Sequence, residues 1–425
     1  MLVGPRQTGS LSSEANFGLN LRPELPCFRV MRVPLIDLRE QYRAIAEPIQ
    51  AAAEAVLKSQ RFILGPQVEA FEKAIRAYCD APYAIGVSSG TDALLAILMA
   101  LEIGRGDAVI TTPYTFFATA GCIARTGAKP LFVDIDPETY NISPSAIQKY
   151  VEKNCRSGSN GELKTRSGEE VRAIIPVHLF GLCCEMDAIH QISEHYQLDV
   201  IEDAAQALGA EYPLGGRTAK TGAMGEAGFF SFYPSKNLGA AGDAGMIICR
   251  DAGLAKKLRI LRDHGMEPRY HHHVIGGNFR MDEIQAAILA VKAPHLESWS
   301  AARRDAADFY RAEFERAGLT KKIVLPAEPY RHRGLTNYHI YHQYVIRTPR
   351  RDALREHLAM REIDTAIYYP LGLHEQMAFS YLGYKMGDFP ESERAASETL
   401  ALPIYSEITR EAQRYVVNAI VEFFG

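Results

Sequence analysis

No run of about 18 apolar residues occurs, the length a membrane helix needs, and the N-terminal stretch MLVGPRQTGSLSSEANFG has no apolar core. Neither a membrane span nor a secretory signal is therefore expected, and the sequon Asn141-Ile142-Ser143 reads as chance. Basic residues are not in excess: 47 Lys and Arg stand against 51 Asp and Glu, a net charge of −4. That leaves no surplus to neutralise a nucleic-acid backbone. The seven cysteines, at 27, 79, 122, 155, 183, 184 and 249, show no metal-ligand spacing, and an odd number does not close a disulfide framework. A reducing cytoplasm and no metal are expected. The chain also lacks a Gly-Lys-Ser/Thr phosphate loop and the GxGxxG of a dinucleotide fold.

What is present is an ordinary globular balance, 47% hydrophobic and 23% charged, over 425 residues, enough for two domains. Residues 1–30 are rich in Pro, Gly, Ser and Asn and read as a leader or non-native extension outside the fold. From residue 84 to about 250, short apolar runs (YAIGV, DAVITT, PLFVDI, RAIIPV, LDVIED) alternate with helical patterns. That rhythm predicts an α/β domain on a largely parallel sheet, with ligands at the carboxyl ends of its strands. Residues 154–170, NCRSGSNGELKTRSGEE, are polar and aperiodic and read as a surface insertion. After MDEIQAAILAVKAPHLESW the pattern changes to a smaller α+β domain. The boundaries are 31–290 for the large domain and 291–425 for the small one.

Four stretches carry candidate chemistry. In SSGTDAL a strand ends at Val87, and Ser89, Gly90 and Thr91 open a helix whose free amides suit a phosphate. Ser89 or Thr91 is equally a simple N-cap. In VIEDAAQALGA, Asp203 ends an apolar strand with Gln206 close behind. Such a carboxylate needs a partner, or else it caps the turn that follows. In TFFATA, Phe116 and Phe117 begin a helix where the default for aromatics is the core. In FFSFYPSKNLGAAGDAGM, Lys236 follows Ser231 and precedes small residues, Gly239 to Gly242, that leave room beside it. A lysine stripped of water becomes a free amine, nucleophilic toward carbonyls, although a lone lysine is as a rule a surface residue. Together a phosphate seat, a strand-end Asp, an aromatic and such a Lys are what pyridoxal phosphate requires.

With QRFILGPQVEAFE, PVHLFG, GGNFRMDEIQAA and YYPLGLHEQ added, the chain from about Val33 onward resembles the DegT/DnrJ/EryC1/StrS sugar aminotransferases. The resemblance implies the aspartate aminotransferase-like fold (type I) and pyridoxal 5'-phosphate as cofactor. It implies Lys236 as the residue that binds the aldehyde and shuttles protons, Asp203 on the pyridinium nitrogen, Gln206 at the ring hydroxyl and Phe116 on the ring face. Ser89, Gly90, Thr91 and Ser231 fall at the phosphate, while Asn278 reaches the phosphate of a neighbouring subunit, which implies a homodimer with shared sites. Tyr369 and His374 are expected to face the sugar. A branch of the family with His in place of the lysine dehydrates instead, and Lys236 excludes it. Ser89 stands where many relatives have Asn, Tyr233 where they have Phe, and Gly372 where they often have Pro.

The implied reaction moves nitrogen from glutamate to C3 of a nucleotide-linked 3-keto hexose, with UDP-3-keto-N-acetylglucosamine favoured and lipopolysaccharide or polysaccharide synthesis as setting. A dTDP-3-keto-6-deoxyhexose or a 4-keto sugar is the alternative, and a non-catalytic regulatory protein on the same fold is the rival from another class. The run Arg269 to His273 is a loop meeting the sugar diphosphate or a dimer contact; three consecutive His cannot converge on one zinc.

Overall fold

The computed structural model describes residues 31–158 and 161–425, so the leader and its reading lie outside the described residues. In chain order the strands before residue 250 are β1 (Tyr83–Val87), β2 (Asp107–Thr111), β3 (Lys129–Phe132), β4 (Cys155–Ser157), β5 (Leu163–Thr165), β6 (Glu170–Ile174), β7 (Asp199–Asp203), β8 (Glu211–Leu214), β9 (Arg217–Lys220), β10 (Ala227–Ser231) and β11 (Gly245–Cys249). All except the hairpin β8–β9 join one nine-stranded sheet with main path β1-β11-β10-β7-β6-β2-β3. From β10 through β7, β6 and β2 to β3 every pairing is parallel, while β11 runs opposite to both its neighbours. Parallel neighbours need a crossover, which the intervening helices supply.

Side chains on a strand alternate between faces, and β10 shows the result. Phe229 packs with Leu94, Leu98, Ile247 and Leu258 on one side of the sheet. Its neighbour Phe230 packs with Phe71, Met246, Ala286 and Leu289 on the other. The helix Gly90–Ala100 is apolar almost all round because it is sandwiched under the sheet, with eight of its residues buried. Truncating a side chain such as Leu98, wholly buried there, to Ala costs about 2–5 kcal/mol. On the opposite face, buried Glu283 takes the amides of Gly65, Gln67 and Val68 at 2.8, 3.0 and 2.8 Å. One carboxylate thus caps the helix Pro66–Tyr78 and ties it to the helix Glu283–Lys292.

Beyond residue 295 the helices Leu296–Arg316, Arg351–Ala359 and Arg410–Phe424 surround the antiparallel pair β12 (Tyr344–Arg347) and β13 (Thr399–Leu402). They share a core of their own with Tyr310, Phe314, Leu354 and Val416, which Val33 joins by bridging to Ile363. The stretch 154–170 departs from the expected irregular insertion. It forms β4 and β5, and β5 leans on β6. Leu163 and Thr165 are buried around a less buried Lys164, a period of two too short to stand out among Gly and Ser.

Candidate active site

Parallel strands place their carboxyl ends on one rim, and the sequence candidates meet there. Val87, Gly245 and Ser231 lie side by side across β1, β11 and β10, and Asp203 pairs with Phe229 one strand further. Over this rim lies a cavity of about 560 Å³ bordered by Gly90, Phe116, Asp203, Ser231, Lys236 and Tyr369. A second cavity, of about 590 Å³, is walled by side chains such as Leu95, Met99, Ile260 and Phe279. It holds no unpaired nucleophile, so the chemistry points to the first.

The anion seat is built by the cap of the helix that follows β1. Ser89 is extended, and its Oγ accepts from Asp92 N at 3.0 Å, so the capping reading of this residue is the geometry found. The amides of Gly90 and Thr91, in the first helical turn, have no carbonyl one turn earlier in the helix and remain free. A Cβ on Gly90 would stand 2.9 Å from Ser231 Cβ, which is why this position has none.

Asp203 is buried, 7% exposed. Thr119 Oγ1 donates to its Oδ2 at 2.8 Å and Ala205 N to its Oδ1 at 3.2 Å, and among the described residues no cation pairs with it. Burial pushes its carboxyl above the ordinary value, opposed by Thr119, Ala205 and Lys236. A protonated pyridine nitrogen is the kind of partner this carboxylate lacks. Burial also lowers the Lys236 ammonium to about 8, against the pull of Asp203. Nζ has no protein partner, yet it is not among the sealed, unpartnered polar atoms of the described residues, so it opens into the cavity it borders. The donor set, a free amine, an uncompensated carboxylate and an anion seat, therefore fits pyridoxal phosphate.

Gln206 is fixed at both ends, Oε1 accepting from Phe180 N at 2.8 Å and Nε2 donating to the Tyr369 hydroxyl at 3.0 Å. Phe116 does not enter the core: it is 58% exposed at the cavity edge, its ring 6.3 Å from that of Tyr369. His374 lies elsewhere, 3% exposed, with Nε2 3.1 Å from Glu393 Oε1 and its ring against Phe389. Asn278 is exposed and bridges Asp263 through its backbone, away from the cavity of its own chain. The exposed loop 269–273 is likewise outside it, and among the described residues no His, Cys, Asp or Glu cluster could hold a metal.

The small residues after Lys236 have a different purpose from the one expected. A Cβ on Gly239 would sit 2.2 Å from Pro234 O, and one on Gly242 would sit 2.9 Å from Gln285 Nε2. Close backbone packing demands glycine at 239, whereas at 242 only the movable end of the Gln285 side chain stands close. Sequence reasoning also passed over Thr115, Thr119, Asp243, His342, Gln343 and Tyr368 on the cavity wall. Thr119 alone had a signal, one helical turn beyond Thr115 in TFFATA.

This sheet order, with its amine and carboxylate at the strand ends, defines a type I pyridoxal phosphate enzyme. Residues 43–421 match the model of the DegT/DnrJ/EryC1/StrS aminotransferase family, and the chain belongs to that family. Among its relatives is the "pleiotropic regulatory protein" of Geobacillus stearothermophilus, 48% identical over 93% of this chain and 99% of that one. Another is the UDP-N-acetyl-3-dehydro-alpha-D-glucosamine 3-aminotransferase of Acidithiobacillus ferrooxidans, 38% identical over 91% and 97%. The solved structure of Streptomyces venezuelae DesV superposes with a TM-score of 0.82 at 36% identity, covering 92% of this chain and 98% of that one. The protein is a pyridoxal phosphate-dependent aminotransferase.

Proposed function

We propose that the enzyme moves an amino group from glutamate to C3 of a nucleotide-linked keto hexose, a UDP-3-keto-N-acetylglucosamine type sugar. One observation carries the reading: the unpartnered amine of Lys236 opens into the same cavity as the buried, cation-free carboxylate of Asp203. The sugar is suggested by the name of the Acidithiobacillus relative.

Pyridoxal phosphate supplies an aldehyde for an amine and an electron-poor ring that accepts the pair left when a proton leaves carbon. Lys236 Nζ, largely unprotonated above about pH 8, would hold the aldehyde and, once released from it, would carry a proton. Asp203 would keep the ring nitrogen protonated, Gln206 would meet the ring hydroxyl and Phe116 would cover a face. The Gly90 and Thr91 amides with the Ser231 hydroxyl would hold the phosphate, and Ser89 fixes the helix start that presents them. Tyr369, already bonded to Gln206, faces the sugar. Burial of His374 against Glu393 supports a part in holding the 369–374 segment instead of touching ligand. Asn278 would serve the phosphate of a partner chain, so the working unit is a homodimer; its setting is the cytoplasm, and each chain divides into two domains near residue 290.

Both substrates use one cavity in turn, a ping-pong order. Glutamate alone should bleach the visible absorbance of the loaded enzyme, and the UDP-linked 3-keto sugar should restore it. Restoration by a dTDP-linked 3-keto-6-deoxyhexose only would move the assignment to that sugar, and no change with any amino donor would overturn the reading.

A further inference from the structure

Asn237 follows Lys236 directly and determines how a neighbouring histidine holds its proton. Its Nδ2 donates to Ile340 O at 3.0 Å, which turns Oδ1 toward His342 Nδ1 at 3.2 Å. An amide oxygen only accepts, so the imidazole proton sits on Nδ1 and Nε2 is a bare acceptor. Burial, reinforced by the positive charges of Lys236 and Arg303, keeps this ring uncharged, far below its ordinary pKa. The buried guanidinium of Arg303 braces it from behind through the carbonyls of Tyr341, His342 and Ile404, at 3.1, 3.4 and 3.1 Å.

His342 Nε2 meets no protein donor, yet it is not one of the sealed, unpartnered polar atoms of the described residues. His342 borders the main cavity and also a void of about 10 Å³ shared with Gln206, Ser231, Lys236 and Asn237. That volume is about what a single water needs. The free acceptor thus opens onto space that Lys236 also borders.

We propose that His342 is a positioning residue for Lys236, its Nε2 accepting, through one water in that void, a hydrogen bond relayed from Nζ whenever the amine is unbound. The idea rests on Lys236 being the reactive amine. A neutral acceptor favours the ammonium, so the lysine can retain the proton it must later return, and it holds Nζ at one place while doing so. The other titratable groups around Lys236 are Asp203, Asp243, Tyr233, Tyr368 and Tyr369. Asp203 contributes the charge that favours the ammonium, and burial keeps the phenols of Tyr368 and Tyr369 protonated.

The test is carbamylation of Lys236 by cyanate in the cofactor-free, full-length chain, followed across pH by peptide mass. In the parent the labelling rate should reach half its limiting value near the pKa of about 8. His342→Leu loses the acceptor, and its midpoint should fall by about one pH unit, the size of a charged hydrogen bond. His342→Gln keeps an acceptor and should stay near the parent. An unmoved midpoint in the Leu variant, or an equal shift in both variants, would overturn the proposal. Should the Leu variant not fold by circular dichroism, Asn237→Leu frees the imidazole to place its proton on Nε2. It should then lower the midpoint likewise, and no shift there overturns the role. Borohydride trapping of the cofactor reads the lysine's own part separately, so either idea can fail alone.

Discussion

Asp203 and Lys236 share a cavity without a direct ion pair, and burial moves each pKa toward its neutral form. For Asp203 the folded chain binds the proton more tightly than the unfolded chain. Its contribution to stability is therefore complete below the ordinary aspartate range and is lost as pH rises through the raised value. Asp203→Asn should accordingly raise the melting temperature of the cofactor-free chain at pH 7 and lose that advantage near pH 3, while weakening cofactor binding. Equal melting temperatures at pH 7 would mean that the buried charge costs nothing. Thr119 is the hydroxyl that steadies this carboxylate, and Thr119→Val should weaken cofactor binding roughly tenfold, the worth of one charge-assisted bond. Thr119→Ser should restore it. Fluorescence titration with pyridoxal phosphate measures both.

Among elements, the helix Gly90–Ala100 does two things at once: its apolar length fills the space under the sheet, and its first turn faces the ligand. Gly90→Ala pushes a methyl onto Ser231 and should cost about 1–3 kcal/mol, with loss of phosphate affinity. Denaturant unfolding and phosphate competition test the two parts. Leu98→Ala should destabilise by about 2–5 kcal/mol but leave phosphate affinity intact.

The strands and this helix were legible because their apolar runs are long and bounded by Gly, Ser and Thr. The β4–β5 hairpin was not, since its buried positions are only Leu163 and Thr165. Lys236, Asp203 and Gln206 stood out as polar residues just past apolar strands. His342 did not, because it meets Asn237 across 105 residues of sequence, a contact that no local pattern encodes. The glycines after Lys236 were visible as glycines, but whether they make room or permit contact depends on Pro234 and Gln285, which only the folded chain brings near.

At the scale of the whole molecule, the exposed Asn278 supports the two-chain reading. A Lys236→Ala chain mixed with an Asn278→Ala chain should regain activity that neither has alone. In such a dimer the site with intact Lys236 receives its asparagine from the other chain. No recovery, in a mixture shown by mass to contain the heterodimer, would place Asn278 outside the partner's site. Among the described residues no helix is long and apolar enough to cross a membrane. The most direct measurement of the whole reading is borohydride reduction of the pyridoxal phosphate-loaded enzyme followed by peptide mapping. The pyridoxyl mark is expected on Lys236; a mark on any other lysine, or none, would contradict it.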